Sequence, residues 1–463
     1  MSTRFEDFLA QNRWKCRIVD RWSPYRRAVA RAYREERALE TAEAGRLQEF
    51  QTSRLRSLLI NSVKSPYYGS VFRERRIRPE EFTLADLPRL PFLTKDILRQ
   101  HGERLRIPDA EAVMENFSGG STGIPVRFWQ DRRYRVHMSV TTRIANERAG
   151  AFPGARVAKL WGAPQDRRQI EGWKGRAKLW LLNMRYYDTF DMGPERMLAY
   201  HRSMEEFQPD IIQAYASSIH LLARFLRERG IRPTYPRVSI ISSAEKLFPH
   251  MRAEIEEVFP APVYDRYGSR EVSAIAAECS RHAGLHIHAP AYLVETIDAA
   301  TGRNIEGEPG ELVITVLNNY AMPFIRYRIG DVGVLDGSPC PCGSPFPRIR
   351  EIVGRSSDNF LMPDGRIVHG EYFTHIFYGM DGVGQFQFVQ EALDDFTLRI
   401  VPSAGYSSEL AARIEREVRN MVGEQARFRI ELSTDIPKTA SGKYRFTLSN
   451  VDIGRMTQAG SQR

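Results

Sequence analysis

Apolar residues recur at helical spacing in several long segments of this 463-residue chain, and short β-branched, apolar runs separate those segments. The helical pattern covers residues 41–62, 95–105, 132–149, 194–207, 218–229 and 249–259. The short runs, which predict strands, cover residues 156–161, 210–215 and 238–242. Helices that alternate with buried strands are typical of an α/β domain with parallel strands.

The pattern changes after about residue 286, where strands and turns replace the alternation. Turn-forming residues at 299–303 and 306–310 predict a β-rich subdomain. From residue 356 a last unit follows, with strands at 385–390, 395–401 and 428–432 and a helix at 407–422. We therefore expect a large α/β domain with a β-rich subdomain over residues 1–355, and a small α+β domain over residues 356–463.

The net charge of the chain limits the classes of molecule that it is expected to bind. The net charge is +10, and arginines are dense between residues 13 and 37 and again at 132–135. A basic chain attracts nucleic acids, anionic membranes or phosphorylated small molecules. No zinc-finger, helix-turn-helix or RNA-binding signature is present, so we expect no nucleic-acid partner.

The basic helical segment at about residues 1–62 allows two interpretations. Aromatic and apolar residues recur there at roughly helical spacing: Trp14, Val19, Trp22, Tyr25, Val29 and Tyr33. An amphipathic helix of this kind packs on the main domain, the interpretation we favour, or makes a peripheral membrane contact. No apolar run reaches the roughly 18 residues of a membrane span, and the first residues lack a signal-peptide core. We expect a cytoplasmic protein and leave its oligomeric state open.

A loop rich in small residues is the strongest local signal for ligand binding. It comprises Ser118, Gly119, Gly120, Ser121, Thr122 and Gly123. Glycines let backbone N–H groups approach a ligand, and the hydroxyls add donors, so the loop can hold phosphate. The flanking segments 113–117 and 126–129 predict two short strands. The loop is neither a Walker A nor a dinucleotide motif, and a flexible surface hairpin is the alternative.

Further motifs follow that loop along the chain. They are residues 243–245 (Ser-Ala-Glu), 267–271 (Tyr-Gly-Ser-Arg-Glu), 310–312 (Gly-Glu-Leu), 326–331 (Arg-Tyr-Arg-Ile-Gly-Asp), 354–358 (Gly-Arg-Ser-Ser-Asp) and 439–443 (Thr-Ala-Ser-Gly-Lys). Together, and in this order, they resemble the adenylate-forming ligases, specifically the phenylacetate-coenzyme A ligases and their relatives in capsule biosynthesis and coenzyme F390 synthesis. The resemblance covers most of the chain.

The resemblance implies a nucleotide site for ATP. Tyr267 stacks on adenine, with Gly268 in the same turn, and Ala244 and Glu245 correspond to the adenine-pocket segment. Asp331 follows a glycine, and its carboxylate can accept both ribose hydroxyls. For Glu245, a turn without ligand contact is the alternative.

Arginines and acids in the other motifs are assigned in the same way. Arg355 belongs to the hinge on which a mobile small domain turns. Arg326 and Arg328 alternate along a strand and should share a face. From that face either arginine can reach phosphate or the hinge. Glu271 supplies a carboxylate for Mg²⁺, with a helix N-terminal carboxylate as the alternative. Lys443 neutralises charge as carboxylate oxygen attacks the α-phosphorus, with a surface lysine as the alternative.

Four residues have the composition of a closed zinc site. Cys340 and Cys342 are too close in sequence for a disulfide scaffold. Cys279 and His286 complete a Cys₃His set. This set resembles a similar cysteine and Gly-Leu-His-Ile pair in some relatives of the phenylacetate ligases. His282 and His288 are alternative ligands, and reduced, unligated thiols are the alternative state. Cys16 is an ordinary lone thiol.

The expected reaction converts a carboxylic acid and ATP, with Mg²⁺, into an acyl-adenylate and pyrophosphate, followed by acyl transfer to coenzyme A. Two departures from the family bear on this. Ile124 stands where a lysine is usual, so Arg127 is a candidate replacement, and residues 361–368 are closer to the capsule-associated branch. A non-CoA acceptor, an adenylyltransferase, and a nucleotide-binding module without catalysis remain alternatives. The small-molecule carboxylate itself is not identified.

Overall fold

The computed structural model describes residues 24–110, 114–117, 126–161, 172–189, 192–355, 359–364, 367–369, 373, 376–377, 380–437 and 445–451. The chain forms two compact units. The large unit contains residues up to Ile329 and Gly333–Ile352, and the small unit contains Gly330–Val332 and the chain from Val353. The assignment of these units to nucleotide binding and to a catalytic lysine stays a prediction.

Ten α-helices are described. They are α1 (Pro24–Ala38), α2 (Ala44–Ser62), α3 (Pro66–Glu74), α4 (Lys95–Leu105), α5 (Arg132–Arg148), α6 (Gly172–Leu181), α7 (Pro194–Phe207), α8 (Ala216–Glu228), α9 (Pro249–Val258) and α10 (Ser408–Val422). Side chains cap several of them: Thr94 accepts from the Ile97 amide, and Ser407 accepts from the Leu410 amide. The helices predicted from periodicity are confirmed to within three residues at either end.

Nineteen strands are described. They are β1 (Met114–Phe117), β2 (Arg127–Gln130), β3 (Val157–Trp161), β4 (Met184–Asp188), β5 (Ile211–Tyr215), β6 (Ser239–Ser243), β7 (Val263–Ser269), β8 (Ser273–Glu278), β9 (Leu285–Ile287), β10 (Tyr292–Ile297), β11 (Gly310–Val316), β12 (Tyr327–Asp336), β13 (Arg348–Arg355), β14 (Asn359–Leu361), β15 (Ile367–His369), β16 (Val383–Ala392), β17 (Asp395–Pro402), β18 (Arg427–Leu432) and β19 (Thr447–Ser449).

One sheet of eleven strands runs through the large unit, in the order β10-β11-β12-β13-β9-β8-β7-β6-β5-β3-β4. Strands β4, β3, β5, β6 and β7 pair in parallel, as helices between successive strands require. From β7 onward the pairs with β8 and β9 are antiparallel. The predicted β-rich part is therefore continuous with the parallel sheet.

Helix α1 packs on the large unit through its apolar stripe. Ala32 and the partly buried Val29 lie against Val140 and Ile144 of α5. The Tyr33 hydroxyl donates to Glu147 (2.6 Å). This packing agrees with the interpretation we favour for residues 24–38.

A buried carboxylate anchors the same helix. Glu36 is completely buried and contacts His137 of α5 through one oxygen and His288 Nε2 (2.6 Å) through the other. Although burial opposes ionisation, these two hydrogen bonds lower the pKa of Glu36.

The small unit has its own core. Its sheet has the order β18-β17-β16-β19, and α10 packs on it with Ile414 and Val418 completely buried. Phe373 and Phe388 stack face to face with their ring centroids 3.9 Å apart. The predicted strand–strand–helix–strand order is confirmed.

Among the described residues, helices long enough to span a bilayer are too polar to do so.

Candidate functional site

A β-hairpin carries the chain into and out of the small-residue loop. Strands β1 and β2 are antiparallel, with Phe117 opposite Arg127. The predicted strands on either side of the loop are thereby confirmed. The loop itself, Ser118 to Gly123, lies outside the described residues, and its role in phosphate binding stays a prediction.

Polar contacts fix the end of β2 to the rest of the large unit. Asp131 caps α5, because its Oδ1 accepts from the Tyr134 amide (2.7 Å) while Oδ2 accepts from the Tyr320 amide (2.8 Å). Asn319 donates to the carbonyl of Trp129 (2.9 Å). The segment that leaves the loop therefore has a defined position.

Glu271 is attached to that same segment. It lies in the tight turn between β7 and β8, and its backbone carbonyl accepts from Gln130 Nε2 (3.3 Å) and from the Tyr134 hydroxyl (3.3 Å). Tyr292 donates to the next carbonyl, that of Val272 (2.5 Å). Glu271 is only 9% exposed. The turn is not a helix N-terminus, so the alternative interpretation of Glu271 was wrong.

The Tyr-Gly sequence before this turn has a steric basis. A Cβ on Gly268 would lie 2.2 Å from the Ser273 carbonyl oxygen, so any other residue would push β8 away. Tyr267, the preceding residue, is partly buried and packs against the main core of the large unit. The motif thus builds the turn that presents Glu271.

The Ser-Ala-Glu motif lies at the carboxyl end of β6. Ala244 has a φ of 71°, in the left-handed region that costs a non-glycine residue about 1 kcal/mol. Glu245 accepts from the Ser217 amide (2.9 Å), in the first turn of α8, where a carboxylate is favoured. The Glu245 carboxylate thus has a structural partner, and the adenine-pocket assignment of both residues stays a prediction.

Arg328 lies in β12, whereas Arg326 precedes the strand and has a φ of 48°, so the prediction that the two arginines alternate along one strand was wrong. Both guanidinium groups nevertheless lie near one aromatic ring. Their guanidinium carbons lie 4.2 Å (Arg326) and 5.7 Å (Arg328) from the ring centre of Phe92. Arg328 Nε donates to Glu311 (2.9 Å).

All five N–H groups of Arg326 are used within the protein. They donate to both oxygens of Glu295, to the carbonyls of Pro88 and Leu90, and to Asn304. Arg326 therefore has a structural role, and the prediction that it reaches phosphate was wrong.

The remaining nucleotide-site residues differ in how far the structure describes them. Asp331 is buried in β12. Arg355 ends β13, but its side chain lies outside the described residues, as do Lys443 and the rest of the hinge, residues 356–358. The roles of Arg328, Asp331, Arg355 and Lys443 stay predictions.

Three cysteines and a histidine converge near β9, which contains the histidine. The ligand atoms of Cys279, His286, Cys340 and Cys342 all lie within 4.8 Å of one another. Cys279 Sγ is 3.9 Å from Cys340 Sγ, and Cys342 Sγ is 3.3 Å from His286 Nε2. Tetrahedral zinc with Zn–S of about 2.3 Å and Zn–N of about 2.05 Å places neighbouring ligand atoms roughly 3.5–3.8 Å apart. The separations of 3.9 and 3.3 Å therefore lie just outside that range, and small side-chain adjustments would accommodate the metal. The sulfurs are too far apart for a disulfide.

The contacts of His286 suit a metal ligand. Its Nδ1 lies 3.3 Å from the Phe346 carbonyl, which favours a proton on Nδ1 and leaves Nε2 directed at the cysteines. Burial, together with the charge of Arg148, lowers the pKa of His286 to about 4, so the ring is neutral near pH 7. Arg148 donates to the His286 carbonyl (3.4 Å).

The two alternative histidine ligands lie elsewhere. His282 contacts Glu278 (3.1 Å), and His288 contacts the buried Glu36. Of the three candidates, His286 is the one that the fold places with the cysteines.

Two residues that support Glu271 were not predicted from the sequence. Gln130 and Tyr134 belong to no motif, and their proximity to Glu271 depends on the packing of α5 against β8. The only sequence signal for Gln130 and Tyr134 is that they follow the small-residue loop, residues 118–123, closely in sequence.

Comparisons with known proteins agree with the motif resemblance. Residues 360–450 match the family model of the CapK C-terminal domain. The chain is 25% identical to protein CapK of Staphylococcus aureus over 88% of this chain and 90% of that protein. It is 26% identical to a phenylacetate-coenzyme A ligase of Thermus thermophilus over 89% of this chain and 98% of that protein.

A solved structure shows the same fold. The crystal structure of a 2-hydroxyisobutyryl-CoA ligase in the postadenylation state matches with a TM-score of 0.71 at 22% identity, covering 91% of this chain and 93% of that chain. The fold predicted from the resemblance is confirmed.

Proposed function

We propose that this chain, a relative of CapK and the phenylacetate-coenzyme A ligases with the fold of the adenylate-forming ligases, activates a carboxylic acid with ATP. The products of the first step are an acyl-adenylate and pyrophosphate. In the second step the acyl group passes to a thiol, that of coenzyme A.

One observation supports this proposal most directly. The backbone carbonyl of Glu271 accepts from Gln130, the last residue of the hairpin strand β2, and from Tyr134, so the turn that carries Glu271 lies beside the strand that leaves the proposed phosphate loop. A hard oxygen ligand on a rigid turn suits Mg²⁺, which when bound neutralises charge on the triphosphate. Glu271 therefore orients the nucleotide for attack on its α-phosphorus.

The other nucleotide contacts follow the motifs. Tyr267 and Gly268, with Ala244 and Glu245, enclose the adenine, and Asp331 accepts the ribose hydroxyls. Residues 118–123 hold the phosphates, with Arg328 and Arg355 adding positive charge. Lys443 stabilises the charge that develops as the carboxylate attacks.

Trapping with hydroxylamine tests this function. Purified protein with ATP, Mg²⁺ and a panel of aryl, fatty, dicarboxylic and amino acids should form the hydroxamate of its substrate, because hydroxylamine attacks acyl-adenylates. An ATP-dependent hydroxamate from at least one acid is expected. ATP turnover without hydroxamate from any acid would contradict acyl-adenylate formation.

A non-CoA acceptor is the second candidate. The match of residues 360–450 to the CapK C-terminal domain favours it, as does the similarity of residues 361–368 to the capsule-associated branch. Incubation of the acyl-adenylate with coenzyme A separates the two: thioester formation supports a CoA ligase, and acyl-adenylate that persists with coenzyme A supports another acceptor.

The Cys₃His cluster binds structural zinc in this proposal. Three thiolates, a neutral imidazole and Zn²⁺ leave one net negative charge, and Arg148 lies beside it. The ligands come from the end of β8, from β9 and from the loop after β12, so the metal joins three segments of the sheet.

Metal analysis tests the cluster. We expect close to one zinc per chain, and Cys340→Ser should lose the metal and lower the melting temperature, because metal binding contributes directly to folding. Cys16→Ser, which changes a thiol outside the cluster, is the matched control. Metal-free wild-type protein with the stability of Cys340→Ser would contradict the zinc assignment.

Membrane contact through the basic amino-terminal segment and a cytoplasmic location stay predictions. The apolar stripe from Tyr25 to Tyr33 packs on α5, where its side chains are partly buried.

A further inference from the structure

One face of the parallel strands changes character along its length. At the amino ends, Ile211 of β5 is buried with Val157 of β3 packed beside it, and Ile241, in the middle of β6, belongs to the same cluster. Ala149 and Ala151, which follow α5, cover this half. The face therefore begins as ordinary core.

The same face becomes polar toward the carboxyl ends. Side chains two residues apart on a strand share a face, and parallel pairing places Lys159 beside Gln213 and Ser243 beside Arg266. The carboxyl ends of parallel strands are where open α/β sheets bind ligands. The polar half of this face thus lies at the expected position of a ligand.

Aromatic rings lie on the same face. Trp161 and Tyr215 have ring centroids 4.3 Å apart, and Lys159 Nζ is 4.7 Å from the centre of the Trp161 ring. This half therefore combines an aromatic wall with positive charge. Aromatic rings and positive charge are the two kinds of group that bind organic anions.

Arg266 is the central group of this polar half. Its Nε donates to Ser243 Oγ (3.4 Å) and its Nη1 to Asn146 Oδ1 (3.1 Å), an oxygen that also accepts from Gln213 (3.4 Å). Both acceptors are neutral. Within the described part of the chain, no carboxylate forms an ion pair with the Arg266 guanidinium.

Other arginines of the large unit are satisfied differently. Each of three other arginines has a carboxylate partner. Arg326 forms an ion pair with Glu295 and uses all five of its donors, Arg252 donates to both oxygens of Glu278, and Arg348 forms an ion pair with Asp336. Arg266 uses only two of its five donors in protein contacts.

The surroundings of Arg266 make its charged form less favourable than in water. Burial lowers its pKa to about 10, which neighbouring Asp265 partly offsets, so the guanidinium stays charged at neutral pH. Asp265, the preceding residue, projects to the opposite side of β7. A partly buried cation whose protein partners are neutral carries a desolvation cost, which an incoming anion would offset.

We propose that Arg266 binds a second carboxylate of the substrate, so that the acid activated by this enzyme is a dicarboxylic acid. The inference rests on the proposed function, which places the nucleotide at Tyr267, the next residue along β7. Arg266 can hold one carboxylate through two parallel hydrogen bonds, leaving the other carboxylate for adenylation. Lys159, Trp161 and Tyr215 lie on the same face of the sheet, on β3 and β5, and Tyr215 is one strand away from Ser243, the neighbour of Arg266.

Matched acids test the inference on the wild-type protein. Succinate, glutarate and isophthalate are compared with butyrate, pentanoate and benzoate, which have one carboxylate fewer and similar frameworks. In hydroxamate formation, kcat/KM for the best diacid should exceed that of its monoacid by about 30-fold or more, as for a close, partly desolvated charge pair. Equal or better use of the monoacids would overturn the inference.

Variants then test the residue. Arg266→Met should lower kcat/KM for the diacid by about 30-fold or more and leave the monoacid unchanged or improved, while Arg266→Lys keeps part of the preference. Arg229→Met, at the exposed end of α8, is the matched control and should change neither acid. An unchanged diacid preference in folded Arg266→Met would overturn the assignment.

Binding without ATP separates this inference from the proposed function. Isophthalate should raise the melting temperature of the wild-type protein more than benzoate does, and Arg266→Met should remove the difference. If this holds while no acid gives a hydroxamate, the anion site stands and the ligase proposal fails. If monoacids give hydroxamates, and Arg266→Met changes neither the isophthalate nor the benzoate shift in melting temperature, the ligase proposal stands and the inference fails.

Discussion

Replacing Glu271 with Gln is expected to lower pyrophosphate release on the order of 10³-fold at saturating acid, because several kcal/mol of metal-dependent charge stabilisation are lost. The amide has nearly the same shape, so the turn held by Gln130 and Tyr134 should persist. Raising the Mg²⁺ concentration should recover part of the activity. Initial rates of pyrophosphate release measure the effect.

The control for Glu271→Gln is Glu308→Gln, which changes an exposed glutamate in a turn of the same unit. This control should retain wild-type rates and melting temperature. A folded Glu271→Gln protein with wild-type turnover would remove Glu271 from the metal site.

Replacing Lys443 with Ala is expected to lower acyl-adenylate formation roughly 10²-fold or more, the scale for loss of a group that stabilises transition-state charge. Transfer from pre-made acyl-adenylate to the acceptor should remain nearly intact. The reason is that the small unit is expected to present Lys443 for the first step only. Separate assays of the two half-reactions measure this difference.

Lys438→Ala is the control for Lys443, since it removes a nearby lysine of the same segment. It should leave both half-reactions close to wild type. Equal damage to both half-reactions by Lys443→Ala, or damage to neither, would contradict the assignment of this lysine to adenylation.

Local structure could be predicted from the sequence because it depends on local patterns. Strand β5 and helix α8 follow from a short buried run and a helical apolar stripe, and both occur where expected. The turn after Gly268 was expected from the family resemblance, and the structure gives its physical reason: a Cβ on Gly268 would collide with the Ser273 carbonyl. The four members of the Cys₃His cluster followed from residue chemistry and a family resemblance.

Properties that depend on distant packing could not be predicted. The pairing of β9 with β13, which joins the strand-rich region to the parallel sheet, has no signal in either strand. His286, His288 and His282 look alike in sequence, and only the fold assigns one to the cysteines and another to Glu36. The neutral contacts of Arg266 likewise require the positions of Ser243 and Asn146.

Acid-dependent exchange of labelled pyrophosphate into ATP tests the central claim most directly, because the reversal of adenylation requires a bound acyl-adenylate and no acceptor. The account predicts rapid exchange with Mg²⁺ and the correct acid, little exchange without acid, and a loss of exchange in Glu271→Gln. Exchange that is absent with every acid of the panel, or that proceeds equally well without acid, would contradict the proposed activity.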